Sequence, residues 1–408
     1  MAIDRLEEVL EADLEDARDE GTLKGDEEIV VEVIPPRNGE GPRFLLAGEG
    51  DREFLRMNSN SYLGLSLRPE LLEAEEEASR QFGAGPGAVR FISGTYGPHV
   101  DLEQALASFH HREDGMIFSA AYVAVMGTLV PLITPETAVI SDELNHNCII
   151  NAVRLARPRE KHVYHHLDLD DLEAKLETAS ECRRALVVTD GVFSMRGDHA
   201  PLDRIAELCR RYDDRFEENV ILVVDDSHGV GAFGATGRGT EEICGGPPVD
   251  LLIATLGKAL GVNGGYVVGS GTLITYLRET APMYIYSNPI TAGEAAAAHR
   301  ALGILAGDEG RRLLAHLRNM TTRFEQGLED LGLETIPGEH PVVPLMVRDT
   351  ARTSALVSHL KENGVLATGL NYPVVPKGDE EIRFQINASH TERDIQTCLD
   401  VLADFQEG

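Results

Sequence analysis

The chain has 408 residues, 42% of them hydrophobic, with 68 acidic against 37 basic side chains and a formal net charge of -31. That length and apolar content suit a globular protein with more than one core. The charge excludes nucleic acids and anionic membrane surfaces as partners, because both would be repelled. Lysine occurs only at Lys24, Lys161, Lys175, Lys258, Lys361 and Lys377. An acid-rich, lysine-poor composition suggests a halophilic protein of a salt-loaded cytoplasm, where screening damps self-repulsion. The cysteines Cys148, Cys182, Cys209, Cys244 and Cys398 are scattered and form no CxxC pair. Reduced cytoplasmic thiols are therefore expected, with no zinc site and no disulfide framework.

The N-terminal stretch is acidic and has no apolar segment of the signal-peptide kind. Leu6, Val9, Leu10 and Leu14 recur at helical spacing and predict an amphipathic helix. Residues 22–58 read as a linker with short strands, marked by turn signals at Pro35-Pro36 and Asn38-Gly39. A helix is expected from Pro69 to Phe82, a glycine-rich loop from Gly83 to Gly87, and another helix from Val100 to Phe109. Beyond that, apolar runs alternate with helical patterns. Met116–Phe118 precedes Tyr122–Leu132, Ala138–Ile140 precedes Asn145–Leu155, and Ala185–Thr189 precedes Leu202–Tyr212. Val220–Val224 ends in Asp225. The alternation predicts an α/β fold with a mainly parallel central sheet covered on both faces. From Ala292 a long helical stretch to Leu331 and two further helix-strand alternations predict a smaller C-terminal α/β domain. The expected organisation is an N-terminal helix and linker over 1–58, a large domain over 59–291 and a small one over 292–408.

Leu251–Gly269 is the most informative stretch. An apolar run ends in Thr255-Leu256-Gly257-Lys258, and Gly261, Gly264 and Gly265 follow. A lysine at a buried strand end needs a partner. An aldehyde that condenses with the amine to a Schiff base removes the charge and makes a covalent anchor, and the glycines leave room for a flat ring. On these residues alone a structural lysine stays equally open. A phosphate-cradling P-loop is excluded, since Leu252 and Ala259 stand where Gly and Ser/Thr are required. Lys258 and the glycines also interrupt any membrane-spanning run.

In open α/β sheets, ligands bind at the carboxyl ends of strands. Here those ends carry Asp142 and His146, Asp190 and Ser194, Asp225 and His228, and Thr255 and Lys258. Together they offer what pyridoxal 5'-phosphate (PLP) requires: a carboxylate for the ring nitrogen, donors for the phenolate oxygen, a flat ring to stack on, and amides with hydroxyls for the phosphate. Gly229-Val-Gly231-Ala-Phe-Gly234 has dinucleotide-binding spacing, but Thr236-Gly-Arg-Gly239 follows where a helix is needed. Asp225, Asp226 and His228 lack a further ligand at metal spacing. Ser194 in GVFSM is not a nucleophile elbow.

These motifs resemble those of the α-oxoamine synthases, PLP enzymes of the aspartate aminotransferase fold (fold type I). The resemblance runs from Asn58 to the C-terminus. It is carried by SYLGL, VRFISGT with His99, SDELNH, TDGVFSM, VDDSHGVGAFGATGRG, TLGKALG, YIYSNP and YPVVPKGDEEIRFQINASHT. SDELNH, the HRED of His111–Asp114 and YPVVPKG are similar to the glycine C-acetyltransferases (2-amino-3-ketobutyrate CoA ligases) within that family.

The resemblance implies residue roles. Lys258 would anchor the cofactor and take the Cα proton, and Asp225 would pair with the pyridine nitrogen. His146 would stack on the ring, and Ser194 and His228 would bond the phenolate oxygen. Thr255 and the amides of Ala120, Ala121 and Tyr122 would hold the phosphate. Arg383 would clamp the amino-acid carboxylate near Ser61. Ser287 and Asn288 would reach the neighbouring subunit's phosphate, so a homodimer with shared active sites is implied. The implied substrates are glycine and an acyl-CoA, acetyl-CoA first. The alternatives are a longer donor, as for 8-amino-7-oxononanoate synthases or serine palmitoyltransferases, or an aminotransferase or lyase of the same fold. Three positions depart from the family pattern. Ser61 replaces the usual Asn, Val123 and Val125 replace polar residues of the acetyltransferases, and the GVNGG loop is one residue shorter.

Overall fold

The computed structural model describes residues 3–19, 23, 26–246, 248–372 and 374–407. Lys24 and Pro373 of the readings above lie outside them. The central sheet has seven strands: β1 (Asp114–Phe118), β2 (Thr137–Asp142), β3 (Glu160–Tyr164), β4 (Arg184–Asp190), β5 (Val220–Asp225), β6 (Leu251–Thr255) and β7 (Gly265–Gly269), in the order β1-β7-β6-β5-β4-β2-β3. All pairings are parallel except those of β7, which runs antiparallel to both neighbours. Strands buried on both faces explain the continuous apolar runs. Along β4, Ala185 and Val187 enter one core, and Leu186 and Val188 enter the other.

Helices cover the two faces. They include α1 (Asp4–Asp19), α2 (Pro69–Phe82), α3 (Gly97–Phe109), α4 (Ala121–Leu132), α5 (Asn147–Ala156), α6 (Leu169–Thr178) and α7 (Leu202–Tyr212). α7 is amphipathic, with Leu202, Ile205, Ala206, Cys209 and Tyr212 buried. α1 is the exception. Its apolar stripe forms as spaced, but Leu6, Val9, Leu10 and Leu14 are 49–56% exposed and no residue of the helix is buried.

The expected long helix from Ala292 is two helices, α8 (Ala292–Ala306) and α9 (Asp308–Asp330), parted by Gly307 in an extended conformation. At Gly310 a Cβ would stand 2.0 Å from the Leu305 carbonyl oxygen, so a side chain there would prevent the turn. Three antiparallel strands follow, β8 (Val342–Met346), β9 (Thr368–Leu370) and β10 (Glu381–Gln385), in the order β8-β10-β9. They are accompanied by α10 (Thr350–Glu362) and α11 (Glu392–Glu407).

The segment read as a linker is fastened to this C-terminal part. Leu55–Arg56 pairs in parallel with Val365–Leu366. Asp394 accepts from Gly41 N at 2.9 Å and from the Arg43 guanidinium at 2.7 Å, both buried. This fastening fixes the start of the Asn58–Ser61 run, which reaches the functional site.

Candidate active site

The carboxyl ends of β4, β5 and β6 converge on Lys258. Asp190 and Asp225 close neighbouring strands and are register partners. Asp190 Oδ2 accepts from His146 N at 3.0 Å, and its Oδ1 is buried without a partner. Burial, then the charge of Asp225, raises the Asp190 carboxyl well above the usual range. Asp225 Oδ1 accepts from Ser227 N at 3.1 Å, and the Cys148 thiol lies 3.9 Å from its Oδ2. Burial pushes the Lys258 amine down to about 8, although Asp225 and Asp190 pull the other way.

His146 caps α5 and holds its ring through Nδ1, which accepts from Cys148 N at 3.3 Å. Burial lowers its pKa. The His146 and Tyr122 rings meet edge to face at 6.3 Å. His228 is buried, and burial followed by the charge of Lys258 keeps it neutral. Its Nδ1 bonds the Tyr62 hydroxyl at 2.7 Å, and its carbonyl accepts from His340 Nε2 at 2.9 Å. Burial raises the Tyr62 phenol, so it stays protonated and able to donate.

α4 begins beside this group with no side-chain cap at Ala120, which leaves the first amides of the helix free. β7 passes so close that a Cβ on Gly265 would lie 2.4 Å from Ala121 Cα. Thr255 Oγ1 donates to Gly264 O at 3.2 Å and accepts from Gly257 N at 3.0 Å, which shapes the loop that bears Lys258.

Arg383 comes from the other sheet. Its Nη1 donates to Ser194 O at 3.0 Å and its Nε is buried without a partner. It forms no ion pair among the described residues. Burial lowers its pKa, as expected of a cation without a counter-ion. Ser61 Oγ lies 3.3 Å from Ser66 Oγ. Asn58 Nδ2 donates to Thr368 Oγ1 at 3.2 Å, and Thr368 is the cross-strand partner of Arg383. Ser287 is half-buried and Asn288 exposed, and among the described residues neither bonds the groups above.

The profile of the aminotransferase class I and II family matches residues 52–402. The chain belongs to that family. Within it the chain is an α-oxoamine synthase. It is 40% identical over 405 residues to the human mitochondrial 2-amino-3-ketobutyrate coenzyme A ligase, covering 99% of this chain and 93% of the relative. It is 39% identical over 350 residues to the 8-amino-7-oxononanoate synthase of Thermosipho melanesiensis, covering 86% and 87%. The solved Sphingomonas wittichii serine palmitoyltransferase superposes with a TM-score of 0.88 at 26% identity, covering 99% and 98%. α-Oxoamine synthases are PLP-dependent acyltransferases of fold type I.

The residues fit that cofactor. The uncapped start of α4, narrowed by Gly265, suits a phosphate. The unsatisfied Asp190 Oδ1 and the unpaired Arg383 Nε mark polar groups that await a ligand. No group of three metal-ligating side chains occurs among the described residues. Asp226, the neighbour of Asp225, points elsewhere: its oxygens accept from Thr240 N at 2.7 Å and Thr240 Oγ1 at 2.6 Å. The Gly229–Gly239 stretch is a set of turns folded over Asp226, leading only to the short helix Thr240–Cys244.

Two findings go beyond the sequence reading. Tyr62 and His340 hold His228 from 166 and 112 residues away, respectively. Only the position of Tyr62 within SYLGL signalled it. Val125 is 0% exposed and belongs to the core with Leu129 and Val139, while Val123 packs against that core. Val125 therefore packs into the core rather than lining an open pocket.

Proposed function

We propose that the enzyme condenses glycine with acetyl-CoA to give 2-amino-3-oxobutanoate and CoA. The observation that carries this is Arg383: a half-buried guanidinium with no ion pair among the described residues, held beside Ser194 at the carboxyl ends that bear Lys258 and Asp225. A small amino acid's carboxylate is the natural partner of such a fork. PLP supplies an electron sink for the pair of electrons left when the Cα proton departs. Lys258 holds the cofactor and, once released, takes that proton; an amine lowered to about 8 is suited to do so near neutral pH. Asp225 would face the ring nitrogen, His146 would stack on the ring, and Ser194 and His228 would bond its oxygen. Thr255 and the amides of Ala120, Ala121 and Tyr122 hold the phosphate. Ser61 lines the carboxylate end.

Acetyl is the favoured acyl group. Val125 lies in the core, so the apolar widening that would favour longer chains lacks support, and the human ligase aligns over nearly the whole chain.

A homodimer completes the site, with Ser287 and Asn288 reaching the phosphate bound by a second copy. Phe91 (68%), Ile92 (67%) and Tyr286 (79%) are exposed. The two segments that carry them adjoin, because Arg90 stacks on Tyr284 at 5.4 Å. An apolar patch of this kind is what a partner copy would cover. The five unpaired cysteines agree with a cytoplasmic location, and no described helix is long and apolar enough to cross a membrane.

Glycine-dependent CoA release, measured from acetyl to palmitoyl donors and with glycine, alanine and serine, tests the reading. Highest kcat/KM for acetyl-CoA with glycine is expected. A steady climb towards hexanoyl or pimeloyl donors refutes the acetyl assignment, and release without any amino acid refutes the condensation. Borohydride reduction followed by peptide mapping should find the cofactor on Lys258 and nowhere else.

A further inference from the structure

A polar cleft of about 530 Å³ adjoins the site, and of its lining only Ser61 has a role above. Its lining includes Arg56, the run Asn58, Ser59, Asn60 and Ser61, and Gly257, the residue before Lys258. Through Asn58 and Thr368 it also abuts Arg383. The cleft therefore borders the residue before the cofactor anchor and approaches the substrate clamp through Asn58, and its volume suits a small-molecule subsite.

Among the described residues that line it, Arg56 is the only cation. The guanidinium lies over the Phe44 ring at 4.0 Å, which fixes its plane in advance. Phe44 is itself buried, and the backbone of Arg56 is locked by pairing with Leu366. No carboxylate among the described residues stands at ion-pair distance from Arg56. Glu28, on the rim of the same cleft, is engaged by Lys361 at 2.8 Å. Burial without a counter-ion lowers the Arg56 pKa, so an arriving anion would be stabilised there.

We propose that Arg56 is the anion-binding residue of the acyl-donor subsite and takes a negatively charged group, phosphate or carboxylate, of the incoming thioester. This rests on the acyltransfer reading above. The cleft joins the site at Gly257, so a thioester lying in it presents its carbonyl towards Lys258 while its anion rests on Arg56. Glycine, held by Arg383, does not need Arg56.

Steady-state kinetics of Arg56→Gln and Arg56→Lys holoenzymes test this. Arg56→Gln should raise the KM for the thioester about tenfold, the worth of one charge-assisted hydrogen-bonded contact, and leave kcat and the glycine KM within about twofold. Arg56→Lys should recover most of the loss. If the anion is a phosphate of the carrier, the penalty disappears with acetyl-pantetheine, which has none. If it is a carboxylate on the acyl chain, the penalty appears with pimeloyl-CoA and is absent with hexanoyl-CoA. An unchanged KM for every donor, or a penalty with acetyl-pantetheine as large as with the CoA donors, overturns the proposal. Calorimetric titration of wild-type and R56Q holoenzyme with inorganic pyrophosphate and with pimelate reads the subsite without turnover. Binding of at least one by the wild type, weakened in R56Q, is expected. Binding of neither overturns the subsite even if the wild type is an active acyltransferase. Conversely, Arg56-dependent binding in an enzyme that releases no CoA keeps the anion site and removes the acyltransfer reading.

Discussion

At the carboxyl edge of the seven-stranded sheet most polar side chains are tied to a neighbour: Asp190 to the His146 amide, His146 to the Cys148 amide, Tyr62 to His228, Thr255 to its own loop. On the three-stranded sheet Arg383 has one carbonyl to bond, and its Nε has nothing. The first arrangement is preorganised and resists change. The second leaves a charge waiting for its ligand. Cofactor chemistry in this protein is thus built into many mutually supporting contacts, whereas substrate choice hangs on a few unpaired groups. Substitutions in the two regions should fail in different ways.

The largest effect is expected at Asp225. Asp225→Ala should lower kcat by about a hundredfold or more, since the ring nitrogen loses its carboxylate. The neighbouring Asp226→Ala should behave differently. Its buried bonds to Thr240 support the loop, so the loss should be in thermal stability, about 2–3 kcal/mol, with activity per folded molecule largely kept. Melting curves run alongside active-site titration separate the two, and equal losses of kcat would mean that the wrong aspartate faces the ring.

Next comes Arg383→Lys. Loss of the fork should raise the glycine KM about 10- to 100-fold, with the thioester KM little changed. A thioester KM that rises as much would place Arg383 on the other substrate and erase the division between the two regions.

The smallest effect concerns the apo-protein. The Lys258 amine titrates near 8 when folded and near 10.4 in an unfolded chain. Between those values the unfolded chain binds more protons, so this group's contribution to stability improves as pH rises and is least favourable below about 8. Lys258→Met should therefore raise the apo Tm at pH 7 by a few degrees, and the gain should shrink towards pH 10. A constant difference across that range would show that the amine is not strained by burial.

How much of this was legible follows from what each residue's signal depends on. The alternation of apolar runs and helices announced the sheet, and the strand-end residues Asp190, Asp225, Thr255 and Lys258 stood out because local pattern alone locates a strand end. The reversal of β7 was hidden, as a five-residue apolar run reads the same in either direction. Gly307 inside a helical pattern was passed over because its effect depends on how α8 meets α9. Tyr62, His340 and Arg56 needed the third dimension: each acts on a partner distant in sequence, or lies unpaired in a way that only surrounding space reveals. α1 shows the reverse case, where the period was right and yet no residue of the helix is buried.

The loop over Asp226 carries a lesson for anyone who would diversify this enzyme. Cβ atoms on Gly191, Gly229 and Gly239 would each come within 2.0–2.1 Å of an Asp226 oxygen. The end of β4 and both ends of the Gly229–Gly239 stretch therefore share one steric constraint. A library that randomises any of these glycines alone would fill with non-folding clones, whatever the chemistry sought. Varying the three together with position 226, or leaving all four fixed and spending diversity on Arg56 and Asn58–Ser61, keeps the search among sequences that can fold.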